Sequence, residues 1–211
     1  DIINSVLRRL REETAVSVTE TDYVSMVGDF VNDAKRIVED SYQWEALRQT
    51  TIFNTASGTD TYTLTDMGNR AKLISVYDQT SKYELRALPR TKIRSEKLAN
   101  PAETGTPRYY GFNGLDSNGD TNLQLHVTPD GVYSMNVLAV VPQADLSVAT
   151  DAVLAPSSPI IHLALAMLAR ERGETGGTST AEYFQMADKY LRDAIAVEAA
   201  RHEDELIYYT V

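Results

Sequence analysis

Two blocks of helical periodicity enclose a long middle stretch that alternates like a sheet, and this order restricts the folds open to the chain. Near the start, Ile3, Val6, Leu7 and Leu10 recur at helical spacing and predict a short helix over residues 2–12. Val24, Val27, Val31, Ala34 and Val38 predict a long helix over residues 22–47, with Thr19, Thr21 and Asp22 as capping residues at its start. Met26, Phe30, Ile37 and Trp44 form a second apolar row, so this helix is expected to be packed on two sides, leaving Asp22, Asp29, Asp33, Lys35, Arg36 and Glu39 as its polar remainder. Helical spacing returns after Pro156. Ser158-Pro159 opens a helix over residues 160–172 that Gly173 can end, and a final helix runs from Thr180 to about Glu205 with Phe184, Ala187, Leu191 and Ala194 near one face.

Between these blocks the period changes to two. Residues 50–53 favour a strand, Tyr62 and Leu64 alternate with threonines, and residues 71–77, 82–88 and 108–112 read as further strands, with a short helix over 91–98. Leu123, Leu125 and Val127 alternate with Gln124 and His126, and Pro129-Asp130-Gly131 is a turn followed by a return strand over 133–141. Residues 122–141 are therefore expected to form a hairpin. Helices, then strands, then helices predict an α+β fold, with the terminal helices packed as a bundle and a mainly antiparallel β subdomain inserted between them. The expected boundaries are 1–48 and 157–205 for the bundle, 49–156 for the β region and 206–211 for an extended C-terminal tail.

Residue chemistry offers little for catalysis. There are no cysteines, which excludes disulfides and thiolate metal sites. His126, His162 and His202 do not share a metal-ligand spacing, and Glu198 and His202, one helical turn apart, make only a weak pair. Asp116-Ser117-Asn118-Gly119-Asp120 resembles the opening of a calcium loop, but the glycine is misplaced and the twelfth position is Val127 rather than glutamate. The Gly-rich run 173–179 lacks the lysine of a phosphate-binding loop. No Gly-x-Ser-x-Gly elbow occurs. No catalytic, cofactor or metal site is assigned. Carboxylates are plentiful, which leaves a glycan hydrolase using paired carboxylates as the alternative reading.

With 30 acidic and 20 basic residues the formal net charge is −10, which opposes stable nucleic-acid binding unless cations cluster in space. It suits a surface past which DNA slides. The longest apolar run, residues 160–169, is interrupted by His162 and falls short of a membrane span, so no membrane partner is expected. Arg8, Arg9 and Arg11 lie inside an amphipathic segment rather than ahead of an apolar one, unlike a signal peptide. The first residue is not Met, so the native N-terminus is open.

Aromatic residues carry the interaction signal. Trp44, the single tryptophan, is expected to be a packing anchor between the long helix and the β region. Twelve aromatics are tyrosine, a residue enriched at interfaces. Leu206, Ile207, Tyr208 and Tyr209 lie beyond the helical pattern, where little local core exists to bury them. They are expected to form a docking tail, mobile alone and ordered on a partner.

The order of these features has a counterpart. A long helix ending in Tyr42-Gln43-Trp44-Glu45-Ala46-Leu47-Arg48 precedes Thr51-Ile52-Phe53-Asn54-Thr55-Ala56-Ser57-Gly58 and Tyr62-Thr63-Leu64. Gly105-Thr106-Pro107-Arg108-Tyr109-Tyr110, Leu123-Gln124-Leu125, Thr128-Pro129-Asp130, Val140-Val141-Pro142 and two closing helices follow. Over nearly its whole length the chain resembles the head-to-tail adaptor, or connector, proteins of short-tailed and related bacteriophages, including the tail tubular protein A type. The resemblance implies a non-enzymatic structural protein without cofactors. It also implies a homo-oligomeric ring, usually dodecameric, in the virion neck between capsid and tail, assembled in the host cytoplasm. The portal protein would dock the tail at Leu206, Ile207, Tyr208 and Tyr209. A tail nozzle or tail tube protein would lie on the other side, and DNA would pass the lumen without specific binding. An unrelated α+β interaction module is a third reading.

Overall fold

The computed structural model describes residues 2–148, 151–173 and 180–201. The chain is α+β and divides into two compact units, Asp1–Leu47 with Gln143–Val211, and Arg48–Pro142.

The first unit contains α1 (Ile2–Arg9) and α2 (Asp22–Ser41), and later α4 (Ser157–Glu171) and α5 (Thr180–Ala199). α4 packs against α1, α2 and α5, and α1 packs against α2. The Thr21 hydroxyl caps α2 by accepting from the Val24 N–H at 3.1 Å. Val24, Val27, Val31, Ala34 and Val38 are buried as the spacing predicts. Of the second row only Trp44 is buried, and it lies beyond the end of the helix; Met26 and Phe30 are half-buried and Ile37 is 47% exposed. In its place the buried stripe takes in Lys35 and Glu39.

α2 also ends six residues earlier than expected, at Ser41, and Tyr42 is extended. The last carbonyls of a helix need donors. The Val38 carbonyl receives both the Ser41 hydroxyl (2.6 Å) and the Trp44 indole N–H (2.7 Å), so the chain turns back on its own helix end before a 3-10 turn at Glu45–Leu47.

The second unit holds β1 (Arg48–Asn54), β2 (Thr61–Leu64), β3 (Lys72–Asp78), β4 (Tyr83–Glu84), β5 (Arg86–Ala87), α3 (Arg90–Ala99), β6 (Thr104–Gly105), β7 (Tyr109–Leu115), β8 (Thr121–His126), β9 (Thr128–Pro129) and β10 (Ser134–Val140). One sheet has the order β1-β10-β3-β4 and a second β2-β8-β7-β5, with β6 and β9 as a short parallel pair. Within the two four-stranded sheets the ladders are antiparallel except where the short β5 joins β7 in parallel. Both sheets feed one apolar core, in which Leu64, Leu123 and Leu125 from the second meet Val76, Met135 and Val137 from the first. Each such side chain contributes roughly 1.5–3 kcal/mol on burial.

The hairpin expected over 122–141 does not form. β8 lies between β2 and β7, and β10 lies between β1 and β3, so both strands are already paired on each edge. Their alternating apolar faces are turned into the shared core rather than set side by side. Pro129-Asp130-Gly131 is a crossing between sheets, held by Gly58 N–H to Pro129 O (2.8 Å) and Thr55 Oγ1–H to Gly131 O (2.9 Å). The boundary expected at residue 156 also moves. Residues 143–156 belong with the helices, for reasons given below.

α3 lies on the second sheet through Ile93, which is fully buried. Gly111 permits this: a Cβ there would stand 2.6 Å from Ile93 Cδ1 and 2.7 Å from the Leu88 carbonyl oxygen. Gly111→Ala is expected to cost about 1–3 kcal/mol. Urea unfolding checks this, and an unchanged midpoint would contradict the packing described.

Candidate interaction site

The helical unit is organised by polar groups on a face that the periodicity had assigned to solvent. Lys35 Nζ lies 3.2 Å from Glu39 Oε1, and both side chains are fully buried. Lys35 Nζ also donates to the Gln143 carbonyl at 2.7 Å, and Glu39 Oε1 accepts from the Gln143 N–H at 3.3 Å. One turn earlier, Asn32 accepts from the Leu146 N–H (2.8 Å) and donates to the Leu146 carbonyl (3.1 Å). Arg36 binds Asp145 through its guanidinium. Four side chains of α2 thus hold residues 143–146 as a neighbouring strand would, which is why this segment belongs to the helical unit.

Trp44 is buried and meets Tyr42 edge-on at 5.4 Å between ring centroids. The structure places it in the turn after α2 rather than on that helix's inner face. Beside it, the Glu45 N–H donates to Glu198 Oε1 at 2.8 Å, and Glu198 Oε2 pairs with Arg201 at 3.0 Å. Glu198 therefore serves as a capping group for the turn. Its expected companion His202 lies outside the described residues, as do 174–179 and the tail residues Leu206, Ile207, Tyr208 and Tyr209.

α4 and α5 meet through a flat stack of His162 on Tyr190, 4.0 Å between centroids and 8° apart. Burial, and secondarily the charge of Arg9, lower the His162 pKa from its ordinary 6.5. Beside this contact an apolar groove of about 310 Å³ is lined by Ile37, Leu163, Phe184, Ala187 and Leu191. Met186, Tyr190 and Val197 on α5 are 48%, 38% and 58% exposed.

The carboxylates that are buried serve the fold. Besides Glu39 and Glu198, Asp78 Oδ1 accepts from the Thr80 and Ser81 N–H groups in the turn after β3. In the calcium-like run, Asp116 Oδ1 accepts from the Asn118 and Asp120 N–H groups at 2.8 Å, and Asp120 takes the Gly68 N–H at 3.0 Å. These are turn-forming bonds. Among the described residues no three His, Cys, Asp or Glu side chains come together as a metal site, and no helix is long and apolar enough to cross a membrane. What the geometry offers is surface for association, and it gives the paired-carboxylate reading no support.

Comparison with protein families decides the class. The model of the SU10 adaptor protein family matches residues 1–206. The chain belongs to that family. No curated protein matches it. As a member of the SU10 adaptor family it is a phage adaptor, a structural protein of the virion neck that associates with portal and tail components. The roles of Asn32, Lys35, Glu39 and Glu198 are not legible in the sequence, because these polar groups bond to residues about 100 positions or more along the chain.

Lys35→Met leaves the Glu39 carboxylate buried without its cation and is expected to cost about 3–5 kcal/mol in urea unfolding. A change under about 1 kcal/mol would show that the pair is solvated. For His162 the folded-state pKa is depressed, so the unfolded chain binds the extra proton. Stability is complete above pH ~6.5 and falls as pH drops through the folded pKa. His162→Phe, which keeps a ring against Tyr190, is expected to flatten this dependence in thermal melts between pH ~7.5 and ~5.

Proposed function

We propose that this adaptor assembles as a ring, dodecameric as the resemblance implies, that joins the portal protein to a tail nozzle or tail tube protein and lets DNA pass. The family match over residues 1–206 carries the reading. The apolar groove beside α5 and the exposed Met186, Tyr190 and Val197 support it, because apolar surface of this kind is favourable only when covered. In this reading each subunit makes modest contacts, and repetition around the ring sums them into firm attachment.

The tail, residues 206–211, is assigned to the portal. Leu206, Ile207, Tyr208 and Tyr209 follow the acidic run Glu203-Asp204-Glu205, so an apolar aromatic patch is presented at the end of a charged stretch. Tyrosine combines a large contact area with a polar tip and loses little entropy on docking. Trp44, buried against the end of α2, is read as the packing anchor of the helical unit. Limited proteolysis of free and portal-bound protein tests the assignment: cleavage around Tyr208 is expected in the free chain and protection in the complex. Equal cleavage in both states would remove the tail from the interface. Replacing Tyr208 and Tyr209 with alanine is expected to weaken portal binding about tenfold or more.

A further inference from the structure

The net charge of −10 is unevenly distributed. Between Arg48 and Pro142 there are ten basic and nine acidic residues, a net of +1; the helical unit has ten basic against twenty-one acidic, a net of −11. Within the β unit the cations concentrate further. Arg86, Arg90, Lys92, Arg94 and Lys97 fall on β5 and α3 with Glu96 as the sole carboxylate among them.

The fold adds Arg108 to this group. Arg86 N–H donates to the Arg108 carbonyl at 3.0 Å, and the ladders set Arg86, Tyr109 and His126 in one row across the sheet. Tyr109 stacks on His126 at 6.1 Å, and two residues along β7 is Gly111, where α3 rests through Ile93. α3 therefore covers the same face of the sheet that carries this row. Arg86 and Arg108 line a recess of about 420 Å³ with Tyr83, Glu84 and Tyr109.

Two of the cations are neutralised, Lys92 by Glu96 at 2.6 Å and Lys97 by Asp60. Arg86, Arg90, Arg94 and Arg108 are exposed, and among the described residues none has a carboxylate within ion-pair distance. Arg86 and Arg108 share one recess, and Arg90 and Arg94 stand one helical turn apart on α3, so each has a like-charge neighbour whose repulsion an anion would relieve. Guanidinium forks match phosphate oxygens, and the Tyr109 hydroxyl is a further phosphate donor, whereas that of Tyr83 is given to the Pro107 carbonyl.

We propose that Arg86, Arg90, Arg94 and Arg108 form a contact surface for the phosphate backbone of duplex DNA. The choice of DNA among polyanions rests on the ring-and-lumen reading above. The contact is independent of sequence, because backbone contacts position a duplex without reading its bases. It is also weak, because the remainder of the protein is acidic. Glu84 in the recess offsets part of the attraction.

The test is fluorescence anisotropy of the full chain with a mixed-sequence duplex of about 30 base pairs, titrated from ~20 to ~150 mM NaCl. Four phosphate contacts predict a slope of log K against log salt of about −3.6. The paired variants Arg86→Ser/Arg108→Ser and Arg90→Ser/Arg94→Ser are each expected to reduce the slope to about −1.8, while Arg8→Ser/Arg192→Ser in the helical unit leaves it unchanged. Circular dichroism confirms that the variants fold. Absence of binding at the lowest salt, or a slope that neither patch variant alters, overturns the proposal. So does a result in which the patch variants lose only self-association in native mass spectrometry, which assigns the arginines to the acidic helical unit of a second copy. Portal association is measured separately on the same proteins. Its failure in the parent chain would refute the ring reading and leave the DNA measurement standing on its own.

Discussion

The Lys35–Glu39 pair is the constraint on which the helical unit depends. Burying two charges costs several kcal/mol per ion, and the arrangement is tolerable only when further hydrogen bonds satisfy them. Here the backbone of Gln143 supplies those bonds, accepting from Lys35 and donating to Glu39. The relation is reciprocal: Gln143 needs partners for its own peptide groups, and α2 provides them without a neighbouring strand. Because the charges lie one helical turn apart, they fix both the position and the direction of the incoming segment. Asn32 and Arg36 extend the hold to residues 145 and 146, so the chain is committed before α4 begins. On the outgoing side, Trp44 and Glu198 do the equivalent, closing the end of α2 and capping the turn that leads to Arg48. Both ends of the helical unit that flank residues 48–142 are thereby held by polar contacts within that unit.

What the sequence disclosed follows from what periodicity measures. Apolar spacing reports which residues avoid water, so it located α1, α2, α4 and α5 and the alternating strands, and with them the α+β class. It treats every lysine and glutamate as solvent-facing. It therefore assigns Lys35 and Glu39, which are buried, to the polar remainder and Ile37, 47% exposed, to the apolar face. The asparagines show the same blindness. Asn4 brackets the peptide groups of Ala15 (2.8 and 3.0 Å) just as Asn32 brackets Leu146, and nothing local to either asparagine signals a partner so far away. The expected hairpin failed for a related reason. Pro129-Asp130-Gly131 encodes a change of direction, but whether the next strand pairs with the last or crosses to another sheet depends on which edges are already occupied. β8 and β10 have both edges taken. Gly111 was equally silent, since its importance comes from Ile93 and Leu88, which approach it from another segment.

Charge behaves like periodicity in this respect, because a sum over the chain conceals its distribution. A net of −10 argues against contact with DNA only if the acid is spread evenly. The division into a −11 helical unit and a +1 β unit removes that premise, and pairing removes more of it: Lys92 and Lys97 are spent on Glu96 and Asp60, while the four arginines are not. Electrostatic recognition depends on the local field within about a Debye length, roughly 8–10 Å at physiological salt, and not on the total charge. Along β5, α3 and residue 108 just before β7, the four arginines lack carboxylate partners among the described residues, with Glu84 beside two of them. The acidic excess elsewhere then has a definite effect. It limits the affinity that a cationic patch can reach, so that contact with a phosphate backbone is made and released rather than held. In the proposed ring, through which DNA would pass, a contact of that kind would guide the duplex, whereas one that exploited every available cation would arrest it.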